Sequence, residues 1–166
     1  SFTDSVKSIG LGGNYYPSDV LKFSMSINKT ESTSWVNWLG DNKIGIYPLD
    51  RFSVRVNASW FPKEQHELRI KFQTTVMETE TGVEWSADTA GNLNSTEKPV
   101  AGFDLGQVAF QIRYKYEISP LSHFYAVYTR GGRHYEDDDV SVGKIISETW
   151  DNPKEDRFTL KLRIKF

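Results

Sequence analysis

Half of the twenty lysines and arginines in this chain of 166 residues fall in short runs, most of them two or four positions apart. They are Lys22, Arg51 and Arg55, Arg69 and Lys71, Arg113 and Lys115, and Lys161, Arg163 and Lys165. Residues two apart on an extended strand point to the same side, so each run puts its cations on one face. Counted the same way, Glu67 and Glu117 are the acids that share it. A wall of positive charge with low-dielectric backing concentrates anions, and a water-filled passage lined by it selects for them. The competing reading is that the charges pair with carboxylates from neighbouring strands or a plug, as ladders inside barrels commonly do.

Residues able to make or break bonds are sparse. His66, His123 and His134 could act as general bases. The first two flank short turns, and only His134 lies at the loop rim with acids near it, with no serine placed beside it by spacing. No catalytic residue is therefore assigned, and the chain reads as a non-enzyme. The run Glu136-Asp137-Asp138-Asp139 offers oxygen ligands to a hard cation. It lacks the spaced pattern and glycine of a calcium loop, so it reads as a solvated charge run, with an ion bridging to lipopolysaccharide phosphate as the milder variant. No metal site or cofactor is expected. The absence of cysteine excludes disulfides and thiolate sites, and a net charge of −2 argues against a nucleic-acid partner.

The elements that would position the basic face have a period of two. Arg157 to Phe166 alternates charged or polar residues with Phe158, Leu160, Leu162, Ile164 and Phe166. Leu68, Ile70, Phe72, Thr74 and Val76 oppose Glu67, Arg69, Lys71 and Gln73, while Val108, Phe110, Ile112, Tyr114 and Tyr116 oppose Gln111, Arg113, Lys115 and Glu117. Phe52 to Trp60 and Leu21 to Ile27 alternate likewise, which makes five two-faced strands. A glycine-rich strand ending near Tyr15 and an apolar one from His123 to Arg130 bring the count to seven. Pro17, Pro62 and Pro120 mark three short turns, where proline presets φ and ends the ladder. The other links, Leu39 to Lys43, about Glu78 to Phe103, and Gly131 to Asp156, are polar, and two of them are long.

Ordinary soluble cores are richer in apolar residues than 38%, whereas 14% aromatic is high. No run reaches the about 18 apolar residues of a membrane helix, but about ten alternating residues suffice for a tilted strand to cross. The expected fold is all-β: an antiparallel up-and-down transmembrane β-barrel, with short periplasmic turns and long extracellular loops, in the bacterial outer membrane. Tyr15, Tyr16, Trp60, Phe61, Tyr116 and Phe166 would form a girdle at the turn rim. Trp35, Trp38, Tyr47, Trp85, Tyr128 and Trp150 would form another toward the loops. Strand parity places Ser1 at the loop rim, so residues 1–166 are expected to be a single segment, the C-terminal part of a larger barrel. Missing N-terminal strands or another subunit would close it, since an open edge in lipid leaves backbone groups unsatisfied. A soluble lipocalin-like ligand-binding barrel and a surface-loop adhesion or assembly partner are the alternatives.

Three stretches resemble a known family. Tyr47-Pro48-Leu49-Asp50-Arg51-Phe52 with Phe61-Pro62, Gln111 to Glu117 with Ser119-Pro120 and Phe124 to Arg130, and the close from Leu160 to Phe166 are similar to an uncharacterised family of bacterial outer-membrane barrels. Members resembling this chain carry an upstream carbohydrate-binding module of the family-nine type before a C-terminal barrel. The resemblance runs from about Gly10 onward and implies a pore, a transport channel or an anchor for an attached domain, with no catalytic residues. Phe158, Leu160, Leu162, Ile164 and Phe166 also resemble the C-terminal assembly signal of outer-membrane proteins. That signal works by edge pairing with the barrel assembly machinery. The expected partners are thus that machinery, the lipid bilayer and lipopolysaccharide.

Overall fold

The computed structural model describes residues 5–137 and 140–165. Strands β1 (Val6–Ser18), β2 (Leu21–Gly40), β3 (Lys43–Lys63) and β4 (His66–Thr79) come first, followed by β5 (Gly82–Ala87) and β6 (Leu93–Val100). β7 (Asp104–Ser119), β8 (Ser122–Glu136), helix α1 (Val142–Asp151) and β9 (Glu155–Arg163) complete the chain. Seven strands form one antiparallel up-and-down path, β1-β2-β3-β4-β7-β8-β9, while β5 and β6 lie off it. Both ends of the path are open, so hydrogen bonds do not close the sheet into a barrel. With every neighbour antiparallel, β1 and β9 run in the same direction.

The seven expected strands are this path, but the link from Glu78 to Phe103 is not a loop. β5 continues the line of β4 along β3, pairing Ile44 with Trp85, and β6 folds back on β5. Period-two patterning is broken there by polar residues on both sides, which is why it reads as a loop in sequence. The strands are also longer than about ten residues, reaching 20 in β2 and 21 in β3. Asp41 and Asn42 alone join β2 to β3. Pro120 stands in its turn, but Pro17 and Pro62 lie inside strands, at register shifts just before the turn residues. A residue without an N–H fits such a bulge because no ladder bond is lost.

Register fixes the two faces. One row, Tyr15-Phe23-Ala58-Ile70-Ile112-Tyr128-Phe158, crosses all seven strands as direct neighbours. On the same side, nearer the loops, runs a second row, Lys7-Glu31-Asp50-Glu78-Asp104-Glu136. Between Trp60 and Phe52 the apolar face of β3 therefore extends about 26 Å along the strand before charge begins.

The core lies at the loop end. Tyr47, Phe103 and Leu105 form a buried cluster, with Trp35, Met77 and Val100 against it. Its rings pack tilted or edge-on at 5.7 to 6.1 Å. The six loop-side rings consequently do not make one girdle. Tyr47, on the same side of β3 as Leu49 and Arg51, and Trp35 pack onto Phe103 instead, and Tyr128 sits in the central apolar row. Trp150 belongs to α1. This helix is capped by the Ser141 hydroxyl, which accepts from the Lys144 N–H, and it buries Ile145 and Thr149. They rest on Gly106, where any Cβ would collide with both.

Candidate functional site

The register gathers the predicted cations. Lys22, Ser59, Arg69 and Arg113 form one cross-strand row, Lys115 and Lys161 flank Tyr125 in another, and Arg163 lies opposite His123. Arg51, Arg55 and Lys71 lie on the same side of their strands, and Lys165 follows β9. All of these positions oppose the apolar row, because alternate residues of each strand change face.

Neutralisation within the sheet is limited. Glu67 is paired with Arg69 and also lies 3.3 Å from Arg113. The other eight, Lys22, Arg51, Arg55, Lys71, Lys115, Lys161, Arg163 and Lys165, form no ion pair among the described residues. Two clefts open on this face. One of about 340 Å³ lies over β1 to β4 and includes Arg51, Arg55 and Gln73. Another of about 500 Å³ lies over β3 to β9 and includes Arg55, Lys71 and Gln111. A third, of about 660 Å³, sits at the loop end among Lys7, Glu31, Asp50, Glu78 and Asp104.

The opposite face is apolar and is most exposed on its two edge strands, β1 and β9. Ile9 is 74% exposed and Leu11 80%, and on β9 Phe158, Leu160 and Leu162 are each more than half exposed. Leu162 pairs with Phe124 and Leu160 with Ala126, leaving the outer edge of β9 free in this sheet. Ile164 lies just beyond that strand, and Phe166 lies outside the described residues.

The histidines are dispersed. The His66 Nδ1 lies 2.6 Å from the Tyr114 hydroxyl, and its ring lies tilted 4.8 Å from that of Tyr116. The His123 Nδ1 is buried without a hydrogen bond among the described residues. The His134 Nε2 lies 3.1 Å from Glu136. No two of them converge on one point. Among the described residues no group of three or more metal-ligating side chains is placed to hold an ion. Asp138 and Asp139 of the acidic run lie outside those residues.

At the tip of the β5–β6 hairpin Asp88 organises the turn. Its carboxylate accepts from the Asn92 side chain at 3.0 Å and from the backbone N–H of Asn92 and Ala90. These donors, the Asn92 amide foremost, hold it below the usual carboxylate range.

Reasoning from charge alone missed the neutral part of the polar face. Ser26, Asn28, Ser53 and Gln73 line the β1–β4 cleft beside the arginines. The signal was available in their alternate positions, Ser26 and Asn28 with Lys22, and Ser53 with Arg51. Also legible was the parity break at Glu31, Asp50 and Glu78, where an apolar series turns to charge. Comparison with protein-family models, with curated proteins and with solved structures returns no match. The family resemblance rests on its quoted motifs alone.

Proposed function

We propose that this sheet is part of the wall of a transmembrane β-barrel in a bacterial outer membrane, with the basic face lining the lumen. The observation that carries the reading is the apolar row crossing all seven strands, exposed at Tyr15, Phe23 and Phe158 and half-buried between them, bounded on the loop side by a row of charge. An outward apolar band of about 25 Å with water-exposed charge above it is what hydrocarbon demands of a barrel. The opposite face, basic and largely without ion pairs, is suited to water and to anions. Such a barrel passes solutes or anchors an attached domain. Because β1 and β9 are parallel to each other, an antiparallel closure needs an odd number of further strands, from another segment or another subunit. β9, with Phe158, Leu160 and Leu162 exposed along it, is the edge on which assembly machinery would act.

Spin labels test the reading. Attached to cysteines at Ile70 and Ile112 in the chain folded in lipid vesicles, they should collide with dissolved oxygen and be shielded from a water-soluble relaxation agent. Labels at Lys71 and Gln111 should show the reverse. Equal exposure of both sets to the aqueous agent would exclude a lipid-facing band. Conductance across a planar bilayer then separates pore from anchor.

One observation favours a second reading. Helix α1 packs on the apolar side, with Trp150 5.8 Å from Phe110 and beneath Arg130. A soluble protein would cover that face in this way throughout, making it a core. The two clefts on the polar side weigh against a lipocalin-like version, whose cavity would open on the apolar face.

A further inference from the structure

We infer that the cleft over β1 to β4 is a binding subsite for a small polyhydroxylated oxyanion, a sugar phosphate or a sugar acid. The inference rests on the proposal that the polar face is the water-filled side of the barrel, and it adds a ligand class to that face.

Three observations support it. Arg51 and Arg55 both line the cleft, and neither has an ion pair or hydrogen bond among the described residues. Arg69 and Arg113 differ, since Glu67 occupies both. No carboxylate lines the cleft. Guanidinium groups left free in this way are ready to make charge-assisted, bidentate bonds to an oxyanion.

The second observation is what lies between the arginines. They are four residues apart on β3, about 13 Å along the strand, with Ser53 between them. Ser53 pairs with Asn28 on β2, and Arg55 pairs with Ser26 on one side and Gln73 on the other. These four neutral side chains have no hydrogen-bond partner among the described residues. Free hydroxyls and amides, Ser53 and Asn28 between the two cations and Ser26 and Gln73 beside Arg55, match a body rich in hydroxyls better than a bare inorganic ion. The third is the wall itself. Gly10 pairs with Asn28, and a Cβ on it would collide with the Asn28 side-chain oxygen. Glycine there leaves Asn28 its place. A volume of about 340 Å³ falls at the small end of ligand clefts. No aromatic ring lines it, so it offers no platform on which a nucleobase would stack.

The test is titration calorimetry on the full chain folded in detergent at low salt, with glucose-6-phosphate, glucuronate, inorganic phosphate and glucose. At least one of the sugar anions should bind about tenfold more tightly than phosphate or glucose, and which one does so identifies the anionic group. Arg51→Gln and Arg55→Gln should each weaken it about tenfold or more. Gly10→Val keeps both cations but displaces Asn28, and should also weaken it. Arg133→Gln, which removes a charge from the same face on β8, should change affinity less than about twofold. The site is overturned if no sugar anion outdoes phosphate, if none binds, or if Arg133→Gln costs as much as Arg55→Gln, since diffuse charge then explains the attraction. The spin-label pattern, repeated on each variant, reports folding. A normal pattern without sugar-anion binding removes the subsite and leaves the barrel; binding without the pattern removes the barrel and keeps the subsite.

Discussion

The loop half and the turn half of the same sheet are built on different terms. Every buried apolar side chain described, Tyr47, Leu49, Val76, Phe103, Leu105, Val108 and Ile145, lies toward the loops. There, α1 packs across β4, β7 and β8 as the second layer that a sheet needs to bury a face, while β5 and β6 extend the sheet itself. Toward the turns the strands alternate as regularly, yet Tyr15, Trp60 and Leu162 remain exposed and no described element lies over them. The loop half thus has a core of its own. The turn half has amphipathic faces whose apolar side is unsatisfied until something outside the chain covers it, and hydrocarbon fits its two-sided pattern.

Six substitutions, in four experiments, probe this contrast in order of expected effect. Tyr47→Ala should cost about 3–5 kcal/mol in denaturant unfolding followed by tryptophan fluorescence, because it empties the loop-half core around Trp35 and Phe103. Phe23→Ala, in the turn half, should cost far less in the same assay in detergent, and comparable losses would mean that the turn half is packed as well.

Ile112→Arg should cost about 2–4 kcal/mol when unfolding is measured in lipid vesicles, while Gln111→Arg on the other face is tolerated. An asymmetry of the opposite sign would reverse the assignment of faces.

Gly106→Val forces a side chain into Ile145 and Thr149 and should cost about 1–3 kcal/mol. Hydrogen exchange should quicken in α1 and stay unchanged in the turn half of β4 and β7. Acceleration throughout would show that the halves fold as one cooperative unit.

The smallest effect belongs to the turn between β7 and β8. Leu121 adopts a φ of 68°, a left-handed conformation costly for a branched side chain. Leu121→Gly should raise stability by about 0.5–1 kcal/mol, read as a higher denaturant midpoint with an unchanged slope.

The main strands and their two faces were legible because their code is local. In β4, Leu68, Ile70 and Phe72 alternate with Arg69, Lys71 and Gln73, and a period of two assigns sides without any knowledge of neighbours. The basic set could be named for the same reason. Pairing is not local, and there the sequence was silent. Only the folded sheet puts β5 and β6 beyond β4 and β7, because Val83, Glu84 and Trp85 gain strand character from the edge of β3 rather than from their own pattern. Only it turns Trp35 and Tyr47 into a core, since a register shift on β2 decides which side Trp35 takes. The choice of Arg113, rather than Arg51 or Arg55, as the second partner of Glu67 beside its strand neighbour Arg69 was likewise tertiary. A carboxylate's reach is a few ångströms, and the strands that come within it are selected by the register of the whole sheet.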